Sequence, residues 1–142
     1  FDCGVMAVDV AGFGGTNWAR IEAARRDYDT NLFIPFLDWG IPTLDCLLNM
    51  RGLFPGQHII ASGGVRDGLD AMRAYWLGAE TISLAGPLLA QLLRNDKTPS
   101  PDSLSRLVGQ LQRQMALTLF LTGAPDLAAF RSKDALIDNK LI

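Results

Sequence analysis

The chain has 142 residues, a formal net charge of −2 and 49% hydrophobic residues, the balance expected of a soluble globular protein. No basic cluster is present to attract a nucleic acid, and no run reaches the roughly eighteen apolar residues of a membrane span, so neither is an expected partner. Cys3 and Cys46 lack metal-ligand spacing and read as buried, reduced thiols of a cytoplasmic protein, and the single histidine, His58, excludes a histidine metal cluster within the chain.

Val5 to Val10 reads as a first strand, closed by the glycine-rich turn Ala11-Gly12-Phe13-Gly14-Gly15-Thr16. Its G-x-G-G spacing does not match the dinucleotide fingerprint G-x-G-x-x-G, and alone it reads as a plain strand-to-helix turn. Thr16 adds a hydroxyl at the same strand end. Trp18, Ile21 and Ala24 share one face of a helix that finishes near Arg25 and Arg26. Residues 27 to 43 read as loop, with Trp39 either lining a site or plugging the loop against the domain. Leu44, Leu47, Leu48 and Arg51 resume helical spacing, with Cys46 inside it, until Gly52 to Gly56 breaks the helix.

His58 to Ala61 reads as a buried strand covered on both faces, and His58, which precedes the apolar residues, as structural. Ser62-Gly63-Gly64 then allows a sharp turn and a close backbone approach to a ligand. Asp67 can cap the following helix, with Asp70 in its first turn, and Leu69, Met72 and Trp76 give a periodic face that stops at Gly78. Thr81 to Ala85 is a further apolar strand, and Gly86-Pro87 opens a short helix, Leu88 to Arg94. The unit is β–turn–α–β, which requires parallel strands and a right-handed crossover. A long helix begins near Pro99 to Asp102, carries Leu104, Leu107, Val108, Leu111, Met115 and Leu119 on one stripe, and ends at Gly123-Ala124-Pro125. Asp126 to Phe130 is a last turn or short helix.

Two consecutive strands thus finish in small residues, Ser62-Gly63-Gly64 and Ala85-Gly86, and the second leads into a helix N-terminus. Exposed amides and a helix N-terminus attract a phosphate, and (β/α)8 barrels place phosphate sites in the loops after their last two strands. Arg66 is available as a charged clamp. The alternative is that these glycines only make tight turns. Three strands and three main helices amount to about half of a barrel of ~250 residues. They would leave two strand edges unpaired, so the chain reads as the end of a longer domain.

The stretches Ala7 to Trp18, Asp38-Trp39-Gly40-Ile41-Pro42-Thr43, Ala61 to Asp70 and Leu84-Ala85-Gly86-Pro87 occur in an order and at spacings that resemble type 2 isopentenyl-diphosphate isomerase, the FMN-dependent form. The resemblance extends to Leu121-Thr122-Gly123-Ala124. Ser-Gly-Gly-x-Arg alone is shared by many FMN barrels, whereas its combination with V-x-G-x-G-G-T and D-W-G-I-P-T is far more specific. Phe13 and Ala11 depart from the family pattern in the first glycine turn.

The resemblance implies a (β/α)8 barrel, with residues 1–142 covering its C-terminal part from about strand 6 to helix 8. It implies that Thr16 contacts the flavin, that Gly63, Gly64, Val65 and Arg66 form the first phosphate loop, and that Ala85 and Gly86 form the second. It further implies FMN as cofactor, NADPH as reductant, Mg²⁺ held outside this chain on an isoprenoid diphosphate substrate, and a homo-oligomeric full-length protein. The family's catalytic and metal-binding side chains come from earlier strands, so these residues name none and are expected to be inactive alone. Two rival readings stay open. One is another FMN barrel, but a 2-hydroxy-acid oxidase needs a histidine after its strand, whereas His58 precedes one. An IMP-dehydrogenase-like reductase needs a loop cysteine, whereas Cys46 falls in a helix. The other is a non-catalytic phosphate-binding fragment.

Overall fold

The computed structural model describes residues 1–25, 30–93 and 101–133. Three short strands, β1 (Ala7–Val10), β2 (His58–Ala61) and β3 (Thr81–Ile82), form a parallel sheet in the order β1-β2-β3. The register pairs Asp9 with Ile60 and Ile60 with Thr81, and Val10 with Ala61 and Ala61 with Ile82. Since side chains alternate along a strand, these are two rows on opposite faces. Val8, Val10, Ile59, Ala61 and Ile82 face the helices and join the core, whereas Asp9 and Thr81 are exposed and Ile60 is half-buried on the other face. The expectation that the His58 strand is covered on both faces therefore holds on one face only. Both β1 and β3 are edge strands of this sheet.

The helices are α1 (Trp18–Arg25), α2 (Thr30–Phe33), α3 (Thr43–Leu53), α4 (Gly68–Trp76), α5 (Gly86–Leu93), α6 (Pro101–Thr122) and α7 (Leu127–Arg131), with a 3₁₀ turn at Ile34–Phe36. The core lies between β2 and helices α3 and α4, with Leu47 and Met72 fully enclosed and Ala74, Trp76, Leu77, Ala79, Ala124 and Phe130 around them. Burying a side chain of this size stabilises by roughly 1.5–3 kcal/mol, so Leu47 and Met72 anchor the helix layer on the sheet. α4 ends as its sequence indicates: Gly78 takes φ +110° and the Ala79 amide returns to the Ala74 carbonyl at 3.1 Å. α6 ends likewise, with Gly123 at φ +63° and the Ala124 amide donating to Leu119 at 2.9 Å. Arg131 of α7 fastens the chain end, donating to the Tyr75 and Ala79 carbonyls and lying 3.8 Å over the Tyr75 ring.

Several expectations are corrected. Val5 and Met6 lie outside β1, and β3 stops at Ile82 rather than Ala85. Strand hydrogen bonding needs a neighbour, and the bonds from β2 to β3 end at the Ser83 amide, which donates to Ala61. Part of the segment expected as loop is helical, in α2 and the 3₁₀ turn, where Pro35 suits the first turn. α1 buries none of its residues, and Trp18 is 71% exposed. On α6, Leu104 and Val108 are exposed, while Leu107, Leu111, Met115 and Leu119 are half-buried. Cys3 is exposed and Cys46 half-buried, so neither is the buried thiol expected, although both are free. Expectations for Arg26, Asp27, Arg94 and Pro99 lie outside the described residues.

Candidate functional site

The carboxyl ends of β1 and β2 are locked together backbone to backbone. Gly63 and Gly64 have φ +68° and +85°, a region that glycine adopts without a Cβ penalty. A Cβ at Gly63 would collide with the Ala11 carbonyl, and one at Gly64 with the Gly14 carbonyl. Thr43, the first residue of α3, closes the junction from below. Its hydroxyl donates to the Ala11 carbonyl at 2.6 Å and lies 3.0 Å from the Gly63 carbonyl oxygen. The Phe13 amide donates to Ile41 at 2.7 Å, tying the first glycine turn to the segment before α3. The Asp38 to Thr43 stretch is thus a brace for the turns. Trp39 is 78% exposed and packs on Phe36 with ring centroids 5.8 Å apart.

Above this junction lies a cleft of about 820 Å³, open at the carboxyl ends of all three strands. Thr16, Gly63, Gly64, Val65, Arg66, Ala85 and Gly86 all border it, so the seven residues expected to contact a flavin or its phosphate converge there, whereas Trp39 does not line it. The Gly63, Gly64 and Val65 amides donate to no group among the described residues. The two helix N-termini nearby differ. In α4, Asp67 accepts from the Leu69 and Asp70 amides at 3.0 and 2.9 Å, and Gln114 accepts from Gly68 at 2.7 Å, so these donors are occupied. In α5, Gly86 faces open space where a Cβ would project, and no side chain among the described residues caps its amide. A phosphate needs such free donors, so α5 rather than α4 offers the anion site.

Arg66 and Asp70 supply the charge. Arg66 Nε donates to Asp70 Oδ2 at 2.9 Å and Nη2 approaches Oδ1 at 3.4 Å, while Arg73 Nη1 donates to the same Oδ1 at 3.3 Å. Burial pushes the Asp70 carboxyl up, but the hydrogen bonds and charge of Arg66, aided by Arg73, outweigh it and hold the group below its ordinary range. Arg66 is 77% exposed at its side chain and Asp70 only 14%.

Four further residues of the site were not named from the sequence as contacts. Ser62 Oγ donates to Asp9 Oδ1 at 2.5 Å, and both side chains border the cleft, as does Ser83. A carboxylate within the apolar run Ala7 to Val10 is the signal that could have marked Asp9. Thr43, which lines a smaller adjoining cleft with Gly63 and Arg66, carried no such signal. His58 lies at the opposite end of β2, where Nδ1 pairs with Glu80, and Cys46 Sγ contacts the Ile41 carbonyl at 3.6 Å. No histidine or cysteine borders the cleft among the described residues.

Residues 1–137 match the family of FMN-dependent dehydrogenases. The chain belongs to that family. Among curated relatives, isopentenyl-diphosphate delta-isomerase of Mycolicibacterium gilvum is 42% identical over 135 residues, covering 93% of this chain and 37% of its own length. The proteins of the same name from Stutzerimonas stutzeri and Nostoc sp. are 41% and 38% identical, again over 37% of their length. The chain therefore spans little more than a third of the curated relatives it matches. A crystal structure of a mandelate oxidase variant with 2-hydroxy-phenylacetamide superposes with a TM-score of 0.63 at 20% identity, covering 92% of this chain and 33% of the other. The parallel βα units of this family member are accordingly part of a (β/α)8 barrel, and the cleft lies at the carboxyl ends of its strands, where barrels place their sites.

Proposed function

We propose that this chain provides the phosphate-binding loops of an FMN-dependent isopentenyl-diphosphate isomerase, which converts isopentenyl diphosphate to dimethylallyl diphosphate in isoprenoid biosynthesis. The observation that carries the reading is the convergence of Gly63 to Arg66, Ala85, Gly86 and Thr16 on one cleft. The relatives' shared name supports the substrate. The residues present fit a flavin mononucleotide: free amides at Gly63 to Val65, an uncapped α5 N-terminus at Gly86 with room for a ligand, and one arginine at the rim.

In this reading the Gly63, Gly64 and Val65 amides and the Gly86 amide receive phosphate oxygens, with Arg66 adding a charge-assisted hydrogen bond. Thr16 offers its hydroxyl to the flavin from the opposite wall. Asp9 and Ser62 keep a negative, hydrogen-bonded surface below. When bound, FMN reduced by NADPH supplies the proton donor and acceptor, while the protein orients cofactor and substrate. The reading also takes a homo-oligomeric, cytoplasmic full-length protein. It assigns Mg²⁺ on the substrate diphosphate to groups outside this chain.

The rival within the family is an oxidoreductase acting on a 2-hydroxy acid, which the family description and the mandelate oxidase likeness favour. His58 argues against it, because the pair with Glu80 holds the imidazole at the amino end of the sheet, away from the cleft. The deciding experiment incubates the complete protein carrying these residues with FMN, NADPH and Mg²⁺. Isopentenyl diphosphate is offered in one arm and a 2-hydroxy acid in the other. Dimethylallyl diphosphate formation without 2-hydroxy-acid oxidation is expected. Oxidation without isomerisation would overturn the isomerase, and neither activity with tight FMN binding would indicate a non-catalytic phosphate binder.

A further inference from the structure

A guanidinium carries five N–H donors on two usable edges: the side formed by Nε and Nη2, and the end formed by Nη1 and Nη2. In this protein the side edge of Arg66 is already engaged. Nε and Nη2 lie on Asp70 Oδ2 and Oδ1, and the Arg66 amide also approaches Oδ2 at 3.3 Å. Three N–H donors remain, both on Nη1 and the second on Nη2. That edge can meet two phosphate oxygens in parallel without any bond to Asp70 being broken.

Asp70 is itself well fixed. It sits in the first turn of α4, its amide is taken by Asp67, and Arg73 holds Oδ1 from the next turn. Asp67, which also faces Arg66, is committed through Oδ1 to the Leu69 and Asp70 amides. Arg66, by contrast, is a long side chain with high exposure, and left alone it would spend most of its time in other rotamers. Holding a ligand group before the ligand arrives lowers the ordering cost of binding.

We propose that Asp70 is a positioning residue that grips the side edge of Arg66 and presents its end edge to the phosphate of a flavin mononucleotide in the cleft. The proposal rests on the flavin reading above and adds that the pair acts through the phosphate alone. Riboflavin, which has the same ring system and no phosphate, should not sense it. A role of Asp70 in holding up α4 would affect both ligands alike.

The test titrates FMN and riboflavin against the complete protein carrying these residues, following flavin fluorescence, for wild type, Asp70→Asn, Asp70→Glu, Arg66→Ala and the double variant Arg66→Ala with Asp70→Asn. Asp70→Asn should weaken FMN by about tenfold, the scale of one charge-assisted hydrogen bond, and leave riboflavin within about twofold. Asp70→Glu should recover part of the FMN affinity. The double variant should bind FMN no more weakly than Arg66→Ala alone, because the carboxylate acts only through the guanidinium. The riboflavin titrations of the same variants show whether Asp70→Asn weakens the fold, because a weakened fold lowers both affinities alike. Equal losses for both flavins, additive losses in the double variant, or unchanged or tighter FMN binding by Asp70→Asn would each overturn the positioning role. A wild type that binds neither flavin would overturn the flavin reading, and the proposal with it.

Discussion

Gly64 and Gly86 border the same cleft, yet their surroundings demand glycine for different reasons, and substitution separates them. At Gly64 the backbone has φ +85°, and a Cβ would stand 2.7 Å from the Gly14 carbonyl carbon and 3.1 Å from its Cα, besides colliding with the carbonyl oxygen. Those atoms are backbone of a turn braced by Thr43 and Ile41, so they cannot rotate aside. Left-handed backbone costs an L-residue roughly 1–2 kcal/mol, and overpacking adds about 1–3 kcal/mol, so Gly64→Ala should destabilise by about 2–5 kcal/mol. At Gly86 nothing lies within 4 Å of the added atom. Gly86→Ala should therefore leave stability within about 0.5 kcal/mol. If the phosphate occupies that space, Gly86→Leu should weaken FMN by about tenfold or more, through lost contacts to the α5 amides, and spare riboflavin. Urea denaturation of the complete apoprotein reads the first pair of effects, and flavin titration the second. Equal destabilisation by the two alanine variants would refute the packing analysis. Wild-type FMN affinity in Gly86→Leu would refute the placement of the phosphate.

Thr43→Val keeps the shape of the side chain but removes the hydroxyl that donates to the Ala11 carbonyl and lies against that of Gly63, so denaturation should show a loss of about 0.5–1.5 kcal/mol. Met72→Ala removes a fully enclosed side chain and should cost about 2–5 kcal/mol in the same assay. Asp70 is held below its ordinary value of 3.8, so its ionised form is favoured by folding. Its stabilising contribution is full above that value and is lost as pH falls through the lower folded value. An acid titration of stability should therefore be flatter below about pH 4 for Asp70→Asn than for wild type, and parallel curves would exclude the coupling.

Local sequence was sufficient to locate the βα units. Apolar runs, helix periodicity and the caps at Asp67, Gly78 and Gly123 depend on neighbours within a few residues, and the structure places the elements in the expected order and these caps where the sequence indicates. The glycine loops were legible for the same reason, since a turn after a buried strand needs residues without a Cβ. What the sequence could not show is which groups meet across the sheet. Asp9 and Ser62 are 53 positions apart, and only the parallel register of β1 against β2 brings them within 2.5 Å. The Thr43 hydroxyl reads as an ordinary helix start until the fold sets it beneath the two turns. Strand length and thiol burial also went astray from sequence, because both depend on what packs alongside. β3 is hydrogen-bonded only as far as β2 accompanies it, and Cys3 lies exposed. Periodicity and turn chemistry are properties of contiguous residues, and they determined the elements and the phosphate-loop candidates. Register, burial and the engaged edge of Arg66 arise from contacts between segments, and the tertiary structure alone decided them.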